Sequence, residues 1–127
     1  MRIDELFGAG RPLVSFEFFP PKDAAGEAQL FGAIDDLRPL NPDFVSITRT
    51  GSGTEKTVEL TSRVQNELGF RSMAHLTCVG HTRQQMGEYL DELWNAGIRN
   101  VLALRGDLPP GQKALDDNEN GFCFGSD

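Results

Sequence analysis

The stretch SMAHLTCVGHTRQQMGEYLDELWNAGIRNVLAL, residues 72–104, holds a strand, a helix and a second strand, and it decides the fold. SMAHLTCV (72–79) is a β-rich run. Thr82, with Gln85 three residues on, forms a capping box that opens a helix. Met86, Leu90 and Leu93 recur along that helix at helical spacing, and Gly97 stops it. NVLAL (100–104) begins the next strand. A helical crossover between two strands sets them parallel, with a right-handed connection.

The same unit repeats toward the N-terminus. LVSFEFF (13–19) is a strand closed by Pro20-Pro21, which cannot donate to a sheet. Asp23 is the N-cap of a helix carrying Leu30, Ala33, Ile34 and Leu37, stopped by Pro39 and the Asn41-Pro42 turn. FVSIT (44–48) is a second strand. A Gly51-Ser52-Gly53 turn and Thr54 follow, and Leu60, Val64 and Leu68 then lie four apart before Gly69. The order is β-α-β-α-β-α-β, with strand ends about 28 to 30 residues apart, the length of a compact βα unit. Beyond Leu108, Pro, Gly, Asp and Asn dominate, and residues 108–127 read as a loop or tail.

Two folds use such units, the open doubly wound sheet and the (β/α)8 barrel. No G-x-G-x-x-G follows strand one, and Gly51-Ser52-Gly53 lacks the Lys of a phosphate loop, which favours the barrel. Eight such units need about 240 residues. The expected fold class is therefore α/β, the first half of a (β/α)8 TIM barrel with parallel strands, and residues 1–127 form the N-terminal part of a single, truncated barrel domain.

Of the 127 residues, 39% are hydrophobic and 24% charged, the balance of one globular domain. Nineteen acidic against 12 basic residues give a net charge of -7, which repels nucleic acid and anionic membrane. The first ten residues hold no long apolar run, so neither a signal peptide nor a membrane span is expected, and the expected location is cytoplasmic. Cys78 and Cys123 are too few for a disulfide framework and read as reduced, structural thiols.

In a barrel the active site is built at the C-terminal ends of the strands. Here each strand carries polar residues at that end: Glu17, Thr48, His75 with Thr77, and Arg105-Gly106-Asp107. Glu17, between Phe16 and Phe18, is costly to bury unless paired, and burial would raise its pKa toward that of a proton donor. The alternative is a simple ion pair with a Lys or Arg at the mouth. Arg105 and Asp107 alternate and so share a face; Arg105 offers a fork of donors to a phosphate, and Gly106 lets a ligand approach the backbone. Against this stands a structural salt bridge. His75, Cys78 and His81 have tempting spacing for zinc, but alternation puts His75 and Cys78 on opposite faces, so no metal is expected. Arg105-Gly106-Asp107 also imitates a cell-adhesion tripeptide, a role that a buried strand end does not suit.

SFEFFPPK (15–22), DFVSITRTGSG (43–53), AHLTCVG (74–80) and GIRNVLALRGDLPPG (97–111), in this order and spacing, resemble the methylenetetrahydrofolate reductase family. The likeness covers nearly the whole chain. It implies a (β/α)8 barrel with non-covalent FAD that takes a hydride from NAD(P)H and reduces 5,10-methylenetetrahydrofolate to 5-methyltetrahydrofolate. By motif position it implies that Glu17 is the acid and that Asp107 is catalytic, near flavin and pterin. Thr48, His75, Arg105, Gly106 and Asp107 would contact the flavin. The family forms homo-oligomers. Residues 49–57 depart from it, being shorter and more basic than its usual loop.

The resemblance also implies that four further strands and the remaining ligand contacts belong to a longer parent, so the chain alone is expected to be inactive. A half-barrel exposes two sheet edges and its inner face, which invites self-association. The rival expectation is a non-catalytic flavin- or folate-binding half-barrel that self-associates. A pterin-dependent methyltransferase or an amine-oxidising flavoenzyme is a weaker third.

Overall fold

The computed structural model describes residues 1–49, 54–107 and 111, with backbone alone at 54 and 55. The 51–53 turn and the 108–127 tail expected from the sequence lie outside the described residues, Gly111 apart. The elements are β1 (Ser15–Phe18), α1 (Ala24–Leu37), β2 (Phe44–Ile47), α2 (Thr54–Asn66), β3 (Ser72–Thr77), α3 (Arg83–Asn95) and β4 (Val101–Leu104). Short 3-10 turns at Asp4–Leu6 and Arg38–Leu40 complete them. The strands form one parallel sheet in the order β1-β2-β3-β4. Sequential order in a parallel sheet with helical crossovers is the first half of a (β/α)8 barrel.

Register sorts the side chains into two faces. Phe16, Val45 and Ser72 share one row and Phe18, Ile47 and Ala74 the next, all toward the helices. Glu17, Ser46 and Met73 form a row on the opposite, inner face, with His75 and Leu102 beyond them. Two apolar clusters fill the helix side. Leu30, Ile34, Val45, Ile47, Leu60 and Val64 join α1 and α2 to β2. Ala74, Leu76, Cys78, Met86, Tyr89, Leu93 and Ile98 join α3 to β3.

The caps act where the sequence places them. The Asp23 carboxylate accepts from the Gly26 N–H at 2.8 Å, and Thr82 and Gln85 form the reciprocal capping box. Helix α3 ends in a Schellman arrangement: Gly97 has φ +80°, the Ile98 N–H donates to Leu93 O at 2.9 Å and the Gly97 N–H to Trp94 O at 3.1 Å.

Three details differ from the sequence expectation. On α3, Tyr89 is buried and Leu90 is 44% exposed, because the helix turns its Met86–Tyr89–Leu93 stripe to the sheet. Ala33 is likewise exposed while Ile34 is buried. The first strand is shorter than residues 13–19, since the Val14 N–H donates to the Asp43 carboxylate instead of to a neighbouring strand. Among the described residues no element covers the outer face of β4, where Val101 is 37% exposed. No helix among them is long and apolar enough to cross a membrane.

Candidate active site at the strand ends

Glu17 projects from β1 onto the inner face, one residue out of step with Phe16 and Phe18 on the helix side. Its side chain is 51% exposed, so the burial expected between the two phenylalanines does not occur; alternation turns it away from them. The partner is neither Lys nor Arg. The Ser46 hydroxyl donates to Glu17 Oε2 at 3.3 Å, and His75 Nε2 lies 3.2 Å from the same oxygen. The latter contact is off the N–H direction, so it is an ion-pair distance without a hydrogen bond, and His75 Nε2 remains unsatisfied.

His75, 7% exposed, is fixed from behind: the Tyr89 hydroxyl of α3 donates to its carbonyl at 3.2 Å. Tyr89 is 2% exposed, and its burial pushes the phenol up to about 12 against the opposing influence of Arg49. Thr48 follows β2, tied to β1 by its N–H to Phe18 O at 2.9 Å. Its Oγ1 is buried without a partner. Two unsatisfied buried polar atoms at neighbouring strand ends are costly in isolation and fit a site completed by a polar ligand.

Arg105, Gly106 and Asp107 lie just past β4, and the Val79 N–H donates to Arg105 O at 2.7 Å. Arg105 and Asp107 are exposed on either side of the more buried Gly106. They form no ion pair with each other or with another described residue; the Arg105 Nε–H donates to Gly106 O at 3.1 Å. Gly106 has φ +87°, and a Cβ there would meet Val79 Cγ1 at 2.7 Å and Thr77 Cβ at 3.2 Å. The chain's own packing therefore demands this glycine. Glu17, Ser46 and His75 are brought into contact; among the described residues no side-chain bond joins Arg105 or Asp107 to them.

His75 and Cys78 do face opposite ways, Cys78 packing with Ala74 and Leu76 under α3. No group of three or more metal-ligating side chains occurs among the described residues. Sequence reasoning missed Ser46, Arg49 and Tyr89. Ser46 was within reach, because alternation puts it on the face of Thr48, and so was Tyr89, at helical spacing from Met86 and Leu93; no pattern in the chain marks Arg49.

A parallel sheet in sequential order, with Glu17, Ser46, Thr48 and His75 toward the carboxyl ends of consecutive strands, defines half of a (β/α)8 barrel. The sequence profile of the family described as Methylenetetrahydrofolate reductase matches residues 2–127. The 5,10-methylenetetrahydrofolate reductase of Salmonella typhimurium is 41% identical over 104 residues, which is 80% of this chain and 35% of that protein. The Escherichia coli protein of the same name is 40% identical over 104 residues, again 80% and 35%. Methylenetetrahydrofolate reductase (NADH) 1 of Zea mays is 39% identical over 128 aligned positions, 99% of this chain and 22% of that protein. The chain belongs to the methylenetetrahydrofolate reductase family. It spans 35% of the length of the two bacterial relatives and 22% of the maize one.

Proposed function

We propose that this chain forms the first four βα units of a reductase that converts 5,10-methylenetetrahydrofolate to 5-methyltetrahydrofolate at the expense of NAD(P)H. The observation that carries the proposal is the Glu17–Ser46–His75 contact beside the unsatisfied Thr48 Oγ1 and His75 Nε2. Thr48, His75, Arg105, Gly106 and Asp107 would hold FAD at these strand ends. A bound flavin supplies the two-electron carrier between nicotinamide and folate.

The residues of this chain do the rest. Glu17, open to the mouth and oriented by the Ser46 hydroxyl, donates a proton to the folate nitrogen released as the methylene bridge opens. His75 lies beside the carboxyl and presents its unsatisfied Nε2 to the ligand. Asp107 sets a negative charge beside the reacting rings, and Arg105 offers the guanidinium fork that suits an oxyanion. The proposed location is the cytoplasm, with the full-length protein a homo-oligomer. The 127 residues alone are proposed to lack the activity, since the curated relatives carry it on chains about two to five times as long.

The test is Glu17→Gln in the full-length protein. Removing a general acid lowers a rate by about 10²–10⁴-fold. Folate reduction is expected to fall by that factor while NAD(P)H oxidation by an artificial acceptor persists. Folate reduction at the parent rate would refute the role of Glu17, and loss of both half-reactions would mean a damaged fold.

A further inference from the structure

Arg49, immediately after Thr48, is 7% exposed. Its Nη1 donates to Thr77 O at 3.0 Å and its Nη2 contacts His81 Nε2. Its Nε is buried without a partner. The guanidinium carbon lies 5.1 Å from the centroid of the Tyr89 ring. Among the described residues no carboxylate pairs with it, although the chain contains 19 acidic residues. Burial pushes the guanidinium pKa down.

The protonation of His81 follows from its two contacts. Arginine has no acceptor, so His81 Nε2 must offer its lone pair to Nη2. His81 Nδ1 lies 3.0 Å from Val79 O, a carbonyl, and so must carry the proton. The ring is thus held neutral in one tautomer, and burial followed by the charge of Arg49 lowers its pKa. Carbonyl, neutral imidazole and phenol orient the guanidinium without neutralising it. Helix α3 begins one residue beyond its cap Thr82, next to His81, and its N-terminus adds potential of the same sign. A buried cation so arranged is expensive unless an anion completes it.

We propose that Arg49, oriented by Thr77 O and His81 at the top of β2 and β3, is a binding site for an oxyanionic group of a ligand, a phosphate or a carboxylate. It rests on the proposed function in one respect: dinucleotides bring pyrophosphate to this mouth and folates bring glutamate carboxylates. Its position, past β2 and over α3, separates it from the inner-face contact of Glu17 with His75.

The experiment follows the Arg49 Nε–H resonance in the 127-residue chain during separate titrations with inorganic pyrophosphate and with N-acetylglutamate. A saturable shift with pyrophosphate alone assigns the site to phosphate; a shift with N-acetylglutamate alone assigns it to a carboxylate. Arg49→Gln should weaken the same anion about tenfold or more, as loss of a charged hydrogen-bond donor does. Arg99→Gln, at an exposed arginine stacked on Trp94, should leave the affinity unchanged. The proposal is overturned if neither anion moves the resonance, if Arg49→Gln binds as tightly as the parent, or if Arg99→Gln weakens binding equally. The parent titration decides alone should Arg49→Gln fail to fold. FAD titrated into the same sample separates the two ideas: flavin binding with an unresponsive Arg49 removes the anion site and leaves the proposed function standing.

Discussion

His75 Nε2 lies 3.2 Å from Glu17 Oε2, although β2 separates their strands. The inner face is concave enough to bring alternate strands into contact across a small residue, Ser46, which is itself only 3% exposed. Because Glu17 is half exposed, its contact with His75 holds little stability. Glu17→Gln is expected to shift the unfolding free energy by less than about 1 kcal/mol. Urea denaturation of parent and variant measures this, and a much larger loss would make Glu17 a structural residue.

Tyr89 is the chain's single tyrosine, so tyrosinate absorbance reports it alone. Its pKa stands at about 12 in the folded state, above the ordinary value of 10. A raised folded pKa contributes stability that is complete below pH 10 and is lost as pH rises toward 12. The absorbance should develop with a midpoint near 12, falling to about 10 in denaturant. Tyr89→Phe should cost about 1 kcal/mol for the hydrogen bond to His75 O.

Asp43 fastens the entrance to β1. Its carboxylate receives two donors of the Arg11 guanidinium and the Val14 N–H, and these hold its pKa down to about 2. A depressed carboxyl contributes stability that is present above its unfolded pKa of about 4 and is lost as pH falls through the folded value. Acid unfolding of the parent should steepen between about pH 4 and about pH 2, and Asp43→Asn should remove that component.

Gly106→Ala combines a left-handed φ of +87° with a Cβ placed 2.7 Å from Val79 Cγ1. The expected loss is about 1–3 kcal/mol, read from the thermal midpoint. An unchanged midpoint would mean that the β4 terminus shifts freely.

Leu60 is fully buried between α1, α2 and β2. Leu60→Ala should cost about 2–5 kcal/mol, depending on how far the cluster collapses, by the same denaturation measurement.

Strand–helix alternation was legible because each signal is local: the Asp23 cap, the Thr82–Gln85 box and the Gly97 stop all act within a turn of the residue that marks them. The polar strand ends were legible too, from alternation alone. Burial was less so. Whether Glu17 is enclosed depends on which face of β1 meets the helices, and this is fixed by pairing with residues 29 positions away. The helical stripe of α3 accommodates either Tyr89 or Leu90 at its centre, and the sheet selects Tyr89 because its hydroxyl finds His75 O. Arg49 and His81 meet across 32 residues, beyond any local pattern.

Each strand of the sheet pairs with the one just before it in the chain, and one further set of bonds crosses nearly the full length. The Asn100 side chain accepts from the Ile3 N–H at 2.8 Å and donates to Met1 O at 2.9 Å and to Ser72 O at 2.8 Å. The four strands can therefore dock one after another as they leave a ribosome, each new unit finding its neighbour already in place. The first three residues cannot. Arg2 and Ile3 find Asp4 and Leu6 at once, but the Ile3 N–H and Met1 O gain Asn100 only when residue 100 has arrived, so the beginning of the chain is the last part to be fastened to this sheet.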